Sequence, residues 1–370
     1  MAQSQPSPLL SICIPAYNGA HYLARLLEAL LPQALEAGSE VEVFVIDDAS
    51  TDNTREVVAA ARRHGPVRYV RNPVNLRSAR NIVKGPVELA TGEFVWGLSQ
   101  HCLIHPGALG KLLSILRAHR HLNGFYVNFH AADYPQDWPQ EAVGGHTGFY
   151  RHLHKNDLES REVEQWEDLL EPKKYVNGTQ CYVHILRRSL WKNYWADRTI
   201  GDDFTSVQTT FPHTCTVAES LFGKPAYYIG EPLFTMFNGA QWWGSLKTRS
   251  RVYLVGFPQL IQLYRSLGWD RAKLGEGQEH SSQFAYRIMV EIFPNWPREE
   301  RRLVFRYLWK YWYYRGTLRV LWRAFLDSQC CWLARFLPRC GARLARIYRY
   351  CFCNCRPARW VRARLAEGKP

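Results

Sequence analysis

Between residues 9 and 98, short apolar segments rich in β-branched side chains alternate with stretches of helical periodicity, and this alternation constrains the fold more than any other feature. Residues 9–16, 41–46, 67–71 and 94–98 read as strands. The stretch 20–37 places Leu23, Leu26, Leu27, Leu30 and Leu31 on one helical face, with Pro32 expected to disturb its last turn. Asp52 or Asn53 is expected to cap a second helix running to about His64. A third helix spans 78–90, with Gly85-Pro86 interrupting it. Strands alternating with helices over so short a span argue for an α/β fold with a parallel sheet.

Ligands of open parallel sheets bind outside the carboxyl ends of the strands. Three polar clusters fall there: Pro15 to Asn18, Asp47 to Ser50, and Ser99 to Cys102. Their convergence on one sheet edge says more than any one of them alone.

Ile14-Pro15-Ala16-Tyr17-Asn18, followed by Ile46-Asp47-Asp48-Ala49-Ser50-Thr51-Asp52, resembles the opening of the family-2 inverting glycosyltransferases of the GT-A fold. Asn75, Ala79-Arg80-Asn81, Thr91-Gly92-Glu93-Phe94 and His105-Pro106-Gly107-Ala108-Leu109 continue the pattern in order. The resemblance implies a Rossmann-like, mainly parallel central sheet flanked by helices, and a nucleotide-sugar donor such as a UDP-sugar. It places Asp48 against the base, Pro15 and Tyr17 along the base pocket, and Arg80 beside the nucleotide. Asn18, Asp47 and Asn75 belong to the same donor side. Turn formation is the other reading of Asp47, helix capping that of Asp52, and a surface ion pair that of Arg80.

One block departs from the family. Where its members carry an Asp-x-Asp signature that holds a divalent metal against the donor diphosphate, this chain has Ser99, Gln100 and His101. Mg2+ prefers oxygen ligands and Mn2+ accepts imidazole, so His101 is the one candidate ligand there. Three readings stand: catalysis without metal, metal recruited through His101 and a distant ligand, or a nucleotide- or glycan-binding protein that has lost catalysis.

Inverting transfer needs a general base for the acceptor hydroxyl. Gly201-Asp202-Asp203-Phe204 holds the best acidic pair downstream, with Asp203 first, Asp202 beside it, and Asp197 and His213 in reserve. A turn or helix cap is the competing role for the pair. Trp242-Trp243 reads as core or as a sugar-stacking platform, and His146, His152 and His154 as loop histidines without metal spacing.

The net charge of +14 sits at one end: residues 301–370 hold 17 Arg or Lys against two acids. Within 332–351, Arg335, Arg339, Arg343, Arg346 and Arg349 share one helical arc, opposite Phe336, Leu344 and Ile347. That amphipathic pattern is expected to bind an anionic membrane surface. No run is long and apolar enough to span a bilayer, and no secretory signal is read, so a cytoplasmic protein peripheral to the inner face of the membrane is expected. The Cys330-Cys331 pair and Cys351, Cys353 and Cys355 do not follow a familiar zinc spacing. No nucleic-acid module is recognised, and no nucleic-acid partner is expected. The reading divides the chain into a transferase domain over 1–245 and a helical, basic region over 246–370. Residues 1–110 form the nucleotide-sugar half of the first and 111–245 its acceptor side, which would take a glycan or lipid-linked acceptor.

Overall fold

The computed structural model describes residues 7–134, 152–171, 179–238, 245–292, 298–314, 317–319 and 321–326. The chain divides into two compact units, 1–281 and 282–370. The tail segment 332–351, the Trp242-Trp243 pair, His146 and the cysteines from Cys330 onward lie outside the described residues.

The first unit opens with β1 (Leu10–Ala16), α1 (Ala20–Ala37), β2 (Val41–Asp47), α2 (Thr54–Ala61), β3 (Arg68–Arg71), α3 (Ser78–Lys84), β4 (Phe94–Gly97), β5 (Cys102–Ile104) and α4 (Ala108–Ala118). It continues through β6 (Gly124–Val127), β7 (His130–Asp133), β8 (His152–Leu153), β9 (Arg161–Val163), β10 (His184–Arg187) and α5 (Arg188–Trp195). Then come α6 (Val207–Thr210), α7 (Pro212–Leu221), β11 (Ala226–Ile229), β12 (Phe234–Asn238), α8 (Leu246–Arg251), α9 (Phe257–Leu267) and α10 (Arg271–Ile292), which crosses into the second unit.

The expected α/β class is observed. An eight-stranded sheet has the order β3-β2-β1-β4-β10-β6-β11-β9. The pairs β3–β2, β2–β1, β1–β4 and β6–β11 are parallel, whereas β10 and β9 run against their neighbours. Every residue of β2 is buried, as a central strand covered on both faces requires. Its Glu42 accepts from Ser11 Oγ, Thr91 N and Oγ1, and Gly92 N, so β1, β2 and the turn into β4 share this buried carboxylate. A Cβ at Gly92 would lie 2.7 Å from Ser11 Oγ, which explains the glycine.

One element differs from the sequence expectation. Helix α1 continues through Pro32 to Ala37, because the proline sits on the exposed side while Leu23, Leu26, Leu27, Leu30, Leu31 and Ala34 stay buried. The lost i→i−4 bond is offset by that apolar face. The segment 225–237 forms two strands in two sheets. β11 joins the main sheet beside β6, and β12 joins a second sheet of order β5-β12-β7-β8.

The second unit, taken by itself, is helical. Beyond the end of α10 it holds α11 (Arg298–Tyr311) and helical residues at 317–319 and 321–326. Ile288, Met289, Val304, Tyr307, Tyr311 and Tyr314 are buried, and Ser282 Oγ lies 3.0 Å from Thr317 Oγ1. Among the described residues no helix is long and apolar enough to cross a membrane.

Candidate active site

Parallel register sets Ala16 beside Asp47, so the polar residues that follow β1 and β2 emerge together. Asp48 is almost fully buried, at 3% exposure. Its N–H donates to Ala16 O at 2.9 Å. Its Oδ1 accepts from Asn72 Nδ2 (2.9 Å) and Leu76 N (2.7 Å), and its Oδ2 from Arg77 N (3.0 Å). Three donors thus aim this carboxylate. Asn72 is braced in turn by Lys84 Nζ at 2.7 Å and Asn81 Oδ1 at 3.0 Å, while Asn81 Nδ2 donates to Ile46 O. Asn72 and Lys84 went unread in the sequence because each carries its meaning only through this network.

Asp47 points elsewhere. It is fully buried and accepts from Ser50 N, Tyr69 OH and Arg71 Nη1. Burial pushes its pKa up, but the hydrogen bonds from Ser50, Tyr69 and Arg71 outweigh that and hold it below the usual carboxylate range. These bonds shape the turn that follows β2. Asp52 bridges two helix starts, accepting from Ala20 N at 3.0 Å and from Thr54 N and Oγ1.

The loop around these carboxylates is strained. Asn18, Ala49 and Arg77 adopt φ of 45°, 60° and 75°. A left-handed backbone costs a non-glycine residue roughly 1–2 kcal/mol, and such residues cluster at functional sites. The Asn18 Oδ1 accepts from Thr51 N, and the Asn75 Oδ1 from Arg77 N. Arg77, exposed next to Asp48, is a site residue that the sequence did not mark, since no residue type announces its own φ.

At the end of β4, Gln100 is buried at 5% exposure. Its Oε1 accepts from Tyr17 N and its Nε2 donates to Tyr17 O. Pro15 and Tyr17 are half-buried on the same rim. His101 Nδ1 lies 3.3 Å from Ser99 Oγ, its Nε2 lies 3.4 Å from Gln100 Nε2, and its ring meets Tyr22 edge-on. Burial, with the charge on His21 adding to it, lowers His101 to about 4. A divalent cation does not fit here: the set offers one imidazole and neutral oxygens, and the Gln100 oxygen is turned onto the backbone. Among the described residues no group of three or more His, Cys, Asp and Glu could hold a metal ion.

The acidic pair is split in role. Asp203 Oδ2 accepts from Ser78 N (2.8 Å) and Ser78 Oγ (2.9 Å), and its Oδ1 from Ala79 N (3.3 Å), so it caps α3 from across the chain. These three donors hold the carboxylate that spacing put first as general base against the start of α3. Asp202, beside it, is exposed. Arg80 donates through Nε and Nη2 to Ile200 O, tying α3 to the same loop. His213 is buried at 6% exposure and donates Nε2–H to Thr179 O at 2.7 Å. Burial lowers it to about 4, and burial, with the charge on His213 adding to it, lowers His184 to about 3. The imidazole held in reserve as a base is thus buried and engaged with a backbone carbonyl.

Residues 11–167 match the sequence model of glycosyl transferase family 2. The abequosyltransferase RfbV of Salmonella typhimurium is 28% identical over 240 residues, covering 61% of this chain and 65% of that protein. The chondroitin synthase of Pasteurella multocida is 36% identical over 104 residues, covering 28% of this chain and 10% of that protein. This chain thus spans less than two thirds of the length of either relative. The solved S. aureus TarS 1–349 overlays 84% of this chain and 91% of that one at 15% identity, with a TM-score of 0.47. Residues 11–167 thus resemble that family over the part of the chain whose polar blocks converge on one sheet edge.

Proposed function

We propose that this protein transfers a sugar from a nucleotide-sugar donor, a UDP-sugar, to a glycan or lipid-linked acceptor in cell-surface polysaccharide synthesis, with inversion at the anomeric carbon. The observation that carries the reading is Asp48, aimed by three donors at the ligand edge of a family-2-like domain. The relative named for abequosyl transfer supports a sugar as the group moved.

In this reading Asp48, Pro15 and Tyr17 seat the base, and Asn18 and Asn75 shape the loops around it. Asp202 takes the proton of the acceptor hydroxyl. The hydroxyl oxygen then bonds to the anomeric carbon as the bond to the diphosphate oxygen breaks, and the nucleoside diphosphate departs with the electron pair. Arg77, exposed beside Asp48, and the anchored Arg80 supply positive charge near that leaving group, since Ser99, Gln100 and His101 do not suit a cation. The segment 332–351 attaches the protein to an anionic, cytoplasmic membrane surface.

The test is a calorimetric titration of the full chain with UDP, GDP, TDP and CDP, with chelator and then with Mn2+. One preferred nucleotide, bound equally under both conditions and lost in Asp48→Asn, is the expected result. Absence of binding to all four overturns it. Absence of carboxylates at positions 99 and 101 also favours a second reading, a nucleotide- or glycan-binding protein without turnover. Nucleotide binding with no transfer or donor hydrolysis would select that one.

A further inference from the structure

The second unit carries aromatic side chains where a core cannot use them. On α11, Val304, Tyr307 and Tyr311 are buried and form one face at helical spacing. Trp309 lies on the opposite face, 88% exposed. The pattern persists past the helix: Trp312 is 60% exposed, Leu318 60% and Trp322 65%, while Tyr311, Tyr314 and Ala324 beside them are buried. Soluble surfaces rarely concentrate apolar side chains this way without a partner.

Cations are interleaved with the rings. Residues 298–326 contain eight Arg or Lys and two acids, Glu299 and Glu300, of which Glu300 is buried. Residues 327–370 add ten more Arg or Lys and two acids. A surface so charged repels a second copy of itself and attracts an anionic partner. Indole rings with flanking arginines match the headgroup level of a bilayer, where the ring is half wet and half apolar and the guanidinium meets phosphate.

We propose that the Trp309, Trp312, Leu318 and Trp322 surface is a membrane-interfacial contact that lies on anionic lipid. It deepens the membrane attachment read from 332–351 but stands on different residues, so the two fail separately. The rings enter the boundary between headgroups and acyl chains, and the cations Arg302, Arg306, Lys310 and Arg319 pair with lipid phosphates.

Sedimentation of the full chain with sucrose-loaded vesicles tests this, using phosphatidylcholine alone and phosphatidylcholine mixed with phosphatidylglycerol. A triple variant, Trp309→Ala, Trp312→Ala and Trp322→Ala, is expected to keep the parent thermal transition and lose about tenfold or more in affinity for the anionic vesicles, because interfacial binding scales with buried apolar area. The triple Trp→Phe variant is expected to recover most of it. Quenching of tryptophan emission by brominated lipid should fall in the alanine variant. A parallel set, Arg335→Gln, Arg339→Gln, Arg343→Gln and Arg346→Gln, reads the tail alone. Undiminished vesicle binding by the triple alanine variant overturns the proposal, whatever the tail variant does. So does a shift in oligomeric state without a change in lipid binding, which would make the face a contact between copies. Binding of the full chain to RNA but not to anionic vesicles overturns both membrane readings.

Discussion

The carboxamide of Gln100 spans the backbone of Tyr17, accepting from its N–H at 3.3 Å and donating to its carbonyl at 3.4 Å. The end of β4 is thereby fastened to the rim that follows β1. Gly19 completes the fit, since a Cβ there would lie 2.3 Å from Gln100 Nε2. A side chain at the centre of the expected metal signature thus braces the rim after β1, its amide supplying both the donor and the acceptor that the two bonds need.

Gln100→Ala should weaken nucleotide binding about fivefold, the loss expected for about 1 kcal/mol of net hydrogen bonding. The loss should be equal in chelator and in Mn2+. Titration calorimetry measures both, and a loss that appears only with Mn2+ would return this residue to a metal shell.

Asp48→Asn keeps the shape of the side chain but sets an amide N–H against Asn72, Leu76 or Arg77, all of which already donate to that position. Unpaired buried donors cost about 1–3 kcal/mol each. Nucleotide affinity should drop at least about tenfold, and thermal stability should fall with it. An unaltered dissociation constant would remove Asp48 from the donor site.

Asp202→Asn and Asp203→Asn should separate base from brace. The first is expected to lower kcat by about 10²–10⁴ and leave nucleotide affinity unchanged, as loss of a general base does. The second weakens the cap on Ser78 and Ala79, costing about 1 kcal/mol of stability, with the smaller effect on kcat. If turnover survives in Asp202→Asn and vanishes in Asp203→Asn, the assignment is reversed.

Acid should destabilise the fold through its buried histidines. Burial lowers His101 and His213 to about 4 and His184 to about 3, each from an ordinary 6.5. Between pH 6.5 and 4 the unfolded chain therefore binds protons that the folded chain does not. Stability is at its full value above that window and falls as pH falls through it, by a few kcal/mol in sum, roughly. Both ring nitrogens of His184 lack a partner among the described residues. His184→Phe should thus flatten the dependence of Tm on pH and raise stability at pH 7 by about 1 kcal/mol. Tm measured across this range checks it, and a slope as steep as the parent's would count against the buried-histidine account.

What could be read from the chain alone were the features set by neighbours in sequence. Apolar runs closed by Pro15 or by Asp47-Asp48 gave β1 and β2 to within a residue, and leucine spacing gave α1. The order of the polar blocks pointed to the family and to the sheet edge they share. The short antiparallel β10, inserted between β4 and β6, and the second sheet around β12 were not legible, because four or five apolar residues do not encode a partner or a direction.

Local periodicity and turn chemistry, then, determined the fold class, and the resemblance carried by the polar blocks pointed to the family. The role of each carboxylate and amide was decided only by tertiary structure. Asp47 and Asp48 are adjacent in sequence, yet one is held by Arg71 and Tyr69 inside the sheet and the other by the Leu76–Arg77 backbone at its edge. Asp203 finds its donors 125 residues away at Ser78, and Gln100 finds Tyr17 83 residues away. A polar side chain takes its function from the partners that satisfy it, and partners so distant in sequence meet only when strand order has been settled by the packing of the sheet.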